Sequence, residues 1–262
     1  MSNFMASMPW YLNTAIIMAL VIAATIFFFY FGNKAVRRIQ TDDERETISI
    51  SLHFLSLFYA VFVVLVFIDV QTQHDQIQDN VVKEASILMD LHHITDAQPL
   101  FAKTDITKAI RNYADDVIHR ESALMRAGDD AALVPFIHPT SIWNAVSSAN
   151  PESYKDLAIY ENVLCRLNEL TDARFQRFTS VDGRTTPFIW TVLIYGGVLV
   201  VASLLMLSAQ SSTSNLLLVS FTVSMLVLVL MLIFSLDKPF CGSTAVPLKA
   251  FEEVLQHIKM GN

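Results

Sequence analysis

The fold class is decided by the stretch at positions 50–68, ISLHFLSLFYAVFVVLVFI, which contains no Asp, Glu, Lys or Arg. At about 1.5 Å per residue, a helix of this length spans the ~30 Å hydrocarbon core of a bilayer. Stretches 12–31, 188–207 and 216–236 are equally free of charge and of comparable length. Because backbone groups in lipid must be hydrogen-bonded within their own segment, all four stretches predict membrane-spanning helices.

The composition agrees with a membrane protein. Hydrophobic residues make up 53% of the 262 positions and charged residues 16%, against about 25% charged residues in soluble domains. A net charge of −7 argues against a nucleic-acid partner. The chain has no phosphate-binding loop, dinucleotide fingerprint or nucleophile elbow, so we predict no enzyme activity, no catalytic residue and no cofactor.

The four stretches divide the chain into three parts. Residues 1–70 form a first transmembrane hairpin, residues 71–186 an extramembrane domain, and residues 187–262 a second hairpin with a short C-terminal tail. We therefore predict an all-α membrane protein with four transmembrane helices, arranged as two hairpins that flank a helical stalk domain. The chain is therefore expected to be multi-pass.

The stalk reads as helical. Between positions 33 and 98 there is neither glycine nor proline, which predicts one unbroken helix over 48–93 that continues the second span. A further helix is predicted to start at Asn150-Pro151, from a cap residue followed by proline. Apolar residues at helical spacing need cover from the short helices between 101 and 149, or from neighbouring subunits or partners. These residues are Val81, Leu88, Leu164 and Leu167.

Four residues are the best metal candidates, but their spacing is unfavourable. They are His92, His93, His119 and Glu121. Adjacent side chains on a helix point about 100° apart, so His92 and His93 make a poor pair for one ion. His119 and Glu121 diverge as well. We predict a solvated helix surface here and no metal site.

Two cysteines and two acids lie near the stalk side of the spans. Cys165 and Cys241 can form a disulfide only if that side is oxidising, and free thiols are the favoured interpretation. Asp69 and Asp237 each end a span, where a carboxylate opposes the helix dipole. They either form a ring at a pore mouth or pair at the membrane boundary, Asp237 with Lys238 or both with basic residues of the stalk.

The second span has two different faces. Its polar stripe is formed by Ser49, His53 and Ser56, and the opposite stripe by Phe54, Phe58 and Phe62. Polar side chains inside a span usually face protein or water. In one interpretation the polar stripe packs on neighbouring helices and the phenylalanines face lipid. In the other, the phenylalanines line a constriction.

Several segments together resemble the uncharacterised bestrophin-like family of bacterial four-span membrane proteins. The most specific segment is Asp237-Lys238-Pro239-Phe240-Cys241-Gly242. The other matching residues are the segment Ser56-Leu57-Phe58-Tyr59-Ala60, the pair Glu84-Ala85, and Tyr113, Glu121, Gly128, Pro187 and Trp190. The resemblance implies two membrane hairpins around a helical domain, in a multi-pass protein of the bacterial inner membrane.

The more remote relation to true bestrophins implies a pentameric anion channel with a hydrophobic neck on the second span. Phe54, Phe58 and Phe62 are similar to such a neck, and Asp69 would lie beyond it. No acidic cluster resembles a bestrophin calcium clasp. The resulting hypothesis is a homo-oligomeric ion channel. The alternative is a non-catalytic accessory or scaffold subunit of a larger membrane complex.

The basic residues of one loop and the bestrophin resemblance predict opposite orientations of the chain in the membrane. The loop after the first span carries Lys34, Arg37, Arg38 and Arg45, and basic loops stay in the cytoplasm. Both termini and the stalk would then be extracytoplasmic. The bestrophin resemblance predicts the reverse, with the stalk inside the cell.

Overall fold

A computed structural model describes most of the chain after residue 41. The described ranges are 42–102, 104–127, 139–180, 185–207 and 213–260, preceded by the isolated positions 16, 19, 23, 26 and 27. The predicted first span, 12–31, therefore lies largely outside the described residues.

The described residues form helices and connecting turns, with no strand among them. The α-helices are α1 (Asp42–Asp96), α2 (Ile106–Asp116), α3 (Ser122–Ala127), α4 (Thr140–Ser147), α5 (Tyr154–Phe178), α6 (Pro187–Leu207), α7 (Thr213–Asp237) and α8 (Lys249–Met260). A π-helical turn, Val117–Glu121, joins α2 to α3, and short 3₁₀ helices lie at Pro99–Phe101 and Gly242–Thr244.

Within the described residues, three helical segments are long and apolar enough to cross a membrane: Glu46–Asp96, Pro187–Leu207 and Asn215–Asp237. They coincide with the second, third and fourth predicted spans. Helix α1 contains 55 residues, which agrees with the prediction of an unbroken helix from the absence of glycine and proline.

The chain separates into two compact units. The membrane unit comprises Met1–Gln71 and Thr185–Asp237, and the extramembrane unit comprises Thr72–Arg184 and Lys238–Asn262. The C-terminal segment thus groups with the extramembrane unit, whereas we expected a short tail on the second hairpin. Its helix α8 buries Phe251, Val254 and Ile258, and this spacing of three and four residues was the available sequence signal.

The extramembrane unit covers the predicted apolar residues with its own helices. Val81, Leu88 and Leu167 are fully buried, and Leu164 packs partly buried against the same core. Helices α2, α4 and α8 contribute to this core through residues such as Ile110, Ile142 and Phe251. Cover from a second subunit is therefore not needed at these positions.

Helix α5 begins later than predicted. Ser153, not Asn150, is its N-cap, and Tyr154 is its first residue. The Ser153 hydroxyl accepts a hydrogen bond from the Asp156 N–H, and the Asp156 carboxylate accepts one from the Ser153 N–H. This reciprocal capping box satisfies two N–H groups, which a start at Pro151 would leave to solvent.

The core of the membrane unit is small. Among the described residues, its main buried cluster consists of Val66, Val70, Leu193, Ile233 and Leu236. They come from α1, α6 and α7, the three helices that match predicted spans. Many other large apolar side chains of these helices are exposed, as expected for surfaces that face lipid or another chain.

Candidate functional site

Five polar residues from four elements meet in the interior of the extramembrane unit. Arg177 on α5 donates through Nε to Glu84 Oε2 of α1 at 2.7 Å and through Nη2 to Glu121 Oε2 of the π turn at 2.7 Å. Arg174 pairs with the other Glu121 oxygen. The Tyr113 hydroxyl of α2 donates to Glu84 Oε1 at 2.5 Å. We call this group the buried ion network.

Local helix geometry places these residues together. Arg174 and Arg177 are three apart on α5 and therefore lie on one face. The π turn has wider, i→i+5 hydrogen bonding, and both Val117 and Glu121 within it are buried. Glu121 is fully buried, so the prediction of a solvated surface was wrong at this position. His119, two residues earlier, is exposed beside Asp115, 3.3 Å away.

The network is electrically balanced, with two carboxylates and two guanidinium groups. Burial alone lowers the pKa of Arg177, but Glu84 and Glu121 offset this effect and raise that pKa above its ordinary value. Burial, followed by the charge of Glu84, raises the pKa of Tyr113 well above 10. Arg174 also stacks over the Tyr113 ring, 4.3 Å from its centroid. Arg177 therefore stays charged and Tyr113 stays neutral.

The buried ion network joins helices and has no access for a substrate. Glu84, Glu121 and Arg177 are each 0% exposed, which suits a fixed clamp between α1, α2, α5 and the π turn. The resemblance had drawn attention to Glu84, Tyr113 and Glu121. It did not identify Arg174 and Arg177, although two arginines three residues apart in an otherwise apolar face were visible in the sequence.

In the membrane unit, Tyr59 of α1 packs on two glycines of α6. Its hydroxyl donates to the Leu193 carbonyl at 2.9 Å. A Cβ atom added at Gly196 would lie 2.6 Å from the Tyr59 ring, and one at Gly197 would lie 3.0 Å from its hydroxyl. Because glycine has no side chain, Gly196 and Gly197 leave a notch on α6 that the Tyr59 side chain occupies. Close approach of this kind is typical of helix pairs in membranes.

Asp237, the last residue of α7, accepts two hydrogen bonds. Its Oδ1 accepts from the Thr185 N–H at 3.1 Å and its Oδ2 from the Trp190 indole N–H at 3.2 Å. These contacts tie the carboxylate to the start of α6, where a negative charge suits the positive end of the helix dipole.

The rest of the Asp-x-Pro-Phe-x-Gly segment makes the turn that follows α7. The Pro239 carbonyl accepts from the Val246 N–H at 2.7 Å, and Phe240 is buried in the extramembrane core. Gly242 has φ 76°, a left-handed conformation that favours glycine. Phe240 and Gly242 therefore each have a physical reason for their residue type.

The three side chains of the phenylalanine stripe differ in their exposure. Phe54 and Phe58 are 61% and 73% exposed, whereas Phe62 packs partly buried against the core of the membrane unit. Asp69 is exposed.

The opposite, polar stripe is satisfied by its own helix. Ser56 donates to the His53 carbonyl, and the His53 Nδ1 lies 2.6 Å from the Ser49 carbonyl oxygen.

The remaining candidates do not form one site. Cys165 and Cys241 are both free, in agreement with the favoured interpretation. His92 is buried, so it is not a solvated surface residue as predicted, and His93 is exposed. In the described part of the chain, no three His, Cys, Asp or Glu side chains already converge as a metal shell.

The fold and these contacts define a helical membrane protein with an extramembrane helical domain. The Bestrophin-like domain family model matches residues 18–251. The chain therefore belongs to the bestrophin-like family, which confirms the resemblance drawn from the sequence.

Two solved structures share the fold. One is a bacterial bestrophin homologue from Klebsiella pneumoniae, 14% identical with a TM-score of 0.58, covering 96% of this chain and 99% of that one. The other is described as a membrane protein, 12% identical with a TM-score of 0.51, covering 94% and 97%. No curated protein matches this chain.

Proposed function

We propose that this protein is a homo-oligomeric ion channel whose narrowest part is formed by the phenylalanine stripe of α1. The observation that carries the proposal is the exposure of Phe54 and Phe58, at 61% and 73%, on a helix that is long and apolar enough to cross a membrane. Membership of the bestrophin-like family and the shared fold support it. A lone bundle of four spans has little room for an aqueous path, so conduction requires several copies.

The geometry of the stripe fits a hydrophobic constriction. Residues four apart drift by only about 40° around a helix and lie about 6 Å apart along it. Phe54, Phe58 and Phe62 therefore cover roughly 12 Å of one helix face. Rings of this kind around a symmetry axis close a pore by dewetting. Contact of Phe62 with the core of the membrane unit supports a fixed orientation of this face.

Asp69 gives the proposed pore its charge preference. It follows Phe62 by two helical turns and is exposed. A ring of carboxylates at a pore mouth attracts cations and repels anions. We therefore expect cation selectivity, which Asp69→Asn should reduce or reverse.

Flux through liposomes tests the neck directly. The purified protein is reconstituted, and cation and anion fluxes are compared for wild type, Phe58→Ala and Phe221→Ala. Phe221 is a matched control because it is a phenylalanine of another span, α7, with 69% exposure. A neck predicts higher flux for Phe58→Ala and no change for Phe221→Ala.

The other outcomes separate the remaining interpretations. Wild-type flux that neither substitution changes would keep the channel and remove the neck, leaving Phe58 to face lipid. Absence of flux in all three proteins, across several salts, would remove the channel and favour the accessory or scaffold role. A monomeric mass after gentle detergent extraction would also contradict a multi-subunit pore.

A further inference from the structure

Two histidines from distant parts of the chain face each other in the extramembrane unit. His93 lies near the end of α1 and His257 near the end of α8, and their Nε2 atoms are 3.0 Å apart. The ring centroids are 5.0 Å apart. Both side chains are exposed, so the pair is open to solutes from the aqueous side.

A third histidine stands behind the pair. The ring centroid of His92 is 6.1 Å from that of His93 and 6.2 Å from that of His257. His92 is only 8% exposed, and its Nδ1 has no hydrogen-bond partner among the described residues. The three imidazole rings thus form one cluster where α1 and α8 meet.

We propose that His93 and His257 bind one divalent first-row transition metal ion between α1 and α8. Imidazole nitrogen is a preferred ligand of Zn²⁺, Cu²⁺ and Ni²⁺. With metal–nitrogen distances of about 2.0–2.1 Å, two nitrogens 3.0 Å apart subtend about 94° at the ion. That angle suits the tetragonal geometry of Cu²⁺ or Ni²⁺, and a small widening gives the tetrahedral angle of Zn²⁺.

The two histidines come from different helices, which removes the objection raised by the adjacent pair. His92 and His93 diverge by about 100° on α1, whereas His257 approaches His93 from α8. Water completes the coordination, since no third side chain of the described residues converges on the same point. The inference is independent of ion conduction, because every group lies in the extramembrane unit.

Metal binding is measured on the full, detergent-solubilised chain after removal of any affinity tag. Titration with Cu²⁺ is followed by calorimetry and by electron paramagnetic resonance, and Zn²⁺ is used as a competitor. We expect one ion per chain, a spectrum with two nitrogen ligands, and displacement by Zn²⁺. Loss of His93 or His257, as alanine variants, should weaken binding by at least about tenfold.

His119→Ala is the matched control, because His119 is an exposed histidine of the same unit outside the pair. Its affinity and spectrum should equal those of the wild type. Equal binding by wild type, His93→Ala and His257→Ala would overturn the proposal, as would absence of binding by the wild type. Thermal melts without metal check that the variants fold. Added metal should raise the melting temperature of the wild type and of His119→Ala, but not that of His93→Ala or His257→Ala.

Discussion

Different interactions stabilise the interior of each of the two units. The extramembrane unit buries a large apolar core and, within it, an ion network of zero net charge. Among the described residues, the membrane unit has a smaller buried cluster, and Tyr59 packs closely against Gly196 and Gly197. In lipid, apolar burial between helices contributes little because the solvent is equally apolar, so shape and single hydrogen bonds decide the packing. In water, a large core stabilises the domain enough to accommodate buried charges.

The largest effect is expected from breaking the buried ion network at one residue. Arg177→Met leaves Glu84 and Glu121 buried without this shared partner, which should lower the free energy of unfolding by about 3–5 kcal/mol. Unfolding in denaturant, followed by the tryptophan fluorescence of the chain, measures this loss. Arg166→Met is the control, because Arg166 pairs with Glu169 at the surface and such pairs contribute at most about 1 kcal/mol. Equal losses in both variants would contradict the clamp.

A second effect tests the membrane unit alone. Gly196→Ala places a methyl group 2.6 Å from the Tyr59 ring, and overpacking of this kind costs about 1–3 kcal/mol. The thermal stability of the protein in detergent should fall while the ion network remains intact. Adding Tyr59→Leu should restore part of the loss, because the smaller side chain vacates the notch. If the double variant is no more stable than Gly196→Ala, the notch does not limit the packing.

A smaller effect separates the tyrosine from the charges in the network. Tyr113→Phe removes the hydrogen bond to Glu84 but keeps the ring under Arg174. We expect a loss of about 1 kcal/mol, since Glu84 retains two bonds from Arg177. Chemical denaturation of Tyr113→Phe and of Arg177→Met gives the loss in free energy of unfolding for each variant. A loss as large as that of Arg177→Met would mean that the hydroxyl, not the ion pairs, dominates the network.

The weakest effect appears only at alkaline pH. The folded-state pKa of Tyr113 is raised well above 10, so the unfolded chain loses this proton first. The corresponding stability is complete below pH ~10 and decreases as the pH rises above it. Because Tyr113→Phe lacks this ionisable group, its free energy of unfolding should fall less steeply as the pH rises, by the slope that corresponds to one proton. Identical slopes in the two proteins would show that Tyr113 ionises equally in both states.

The sequence predicted what depends on local pattern. Length and hydropathy located three helices that the structure describes as candidate spans, and missing glycine and proline predicted the continuity of α1. It could not predict Arg177 between Glu84 and Glu121, because these residues meet only after α1, α5 and the π turn pack together. The same holds for His257, which is 164 positions from His93. Helix α8 was missed because its short apolar pattern follows a strong membrane signal.

The buried ion network also constrains how this chain can change over evolutionary time. Replacing any one of Glu84, Glu121 or Arg177 alone strands a charge in the interior, whereas replacing the set by apolar residues of similar volume leaves no such charge. A lineage can therefore keep the set or lose it, but intermediate sequences are selected against. In an alignment of relatives, these positions should vary together. Few sequences should keep Arg177 while an uncharged residue replaces Glu84 or Glu121.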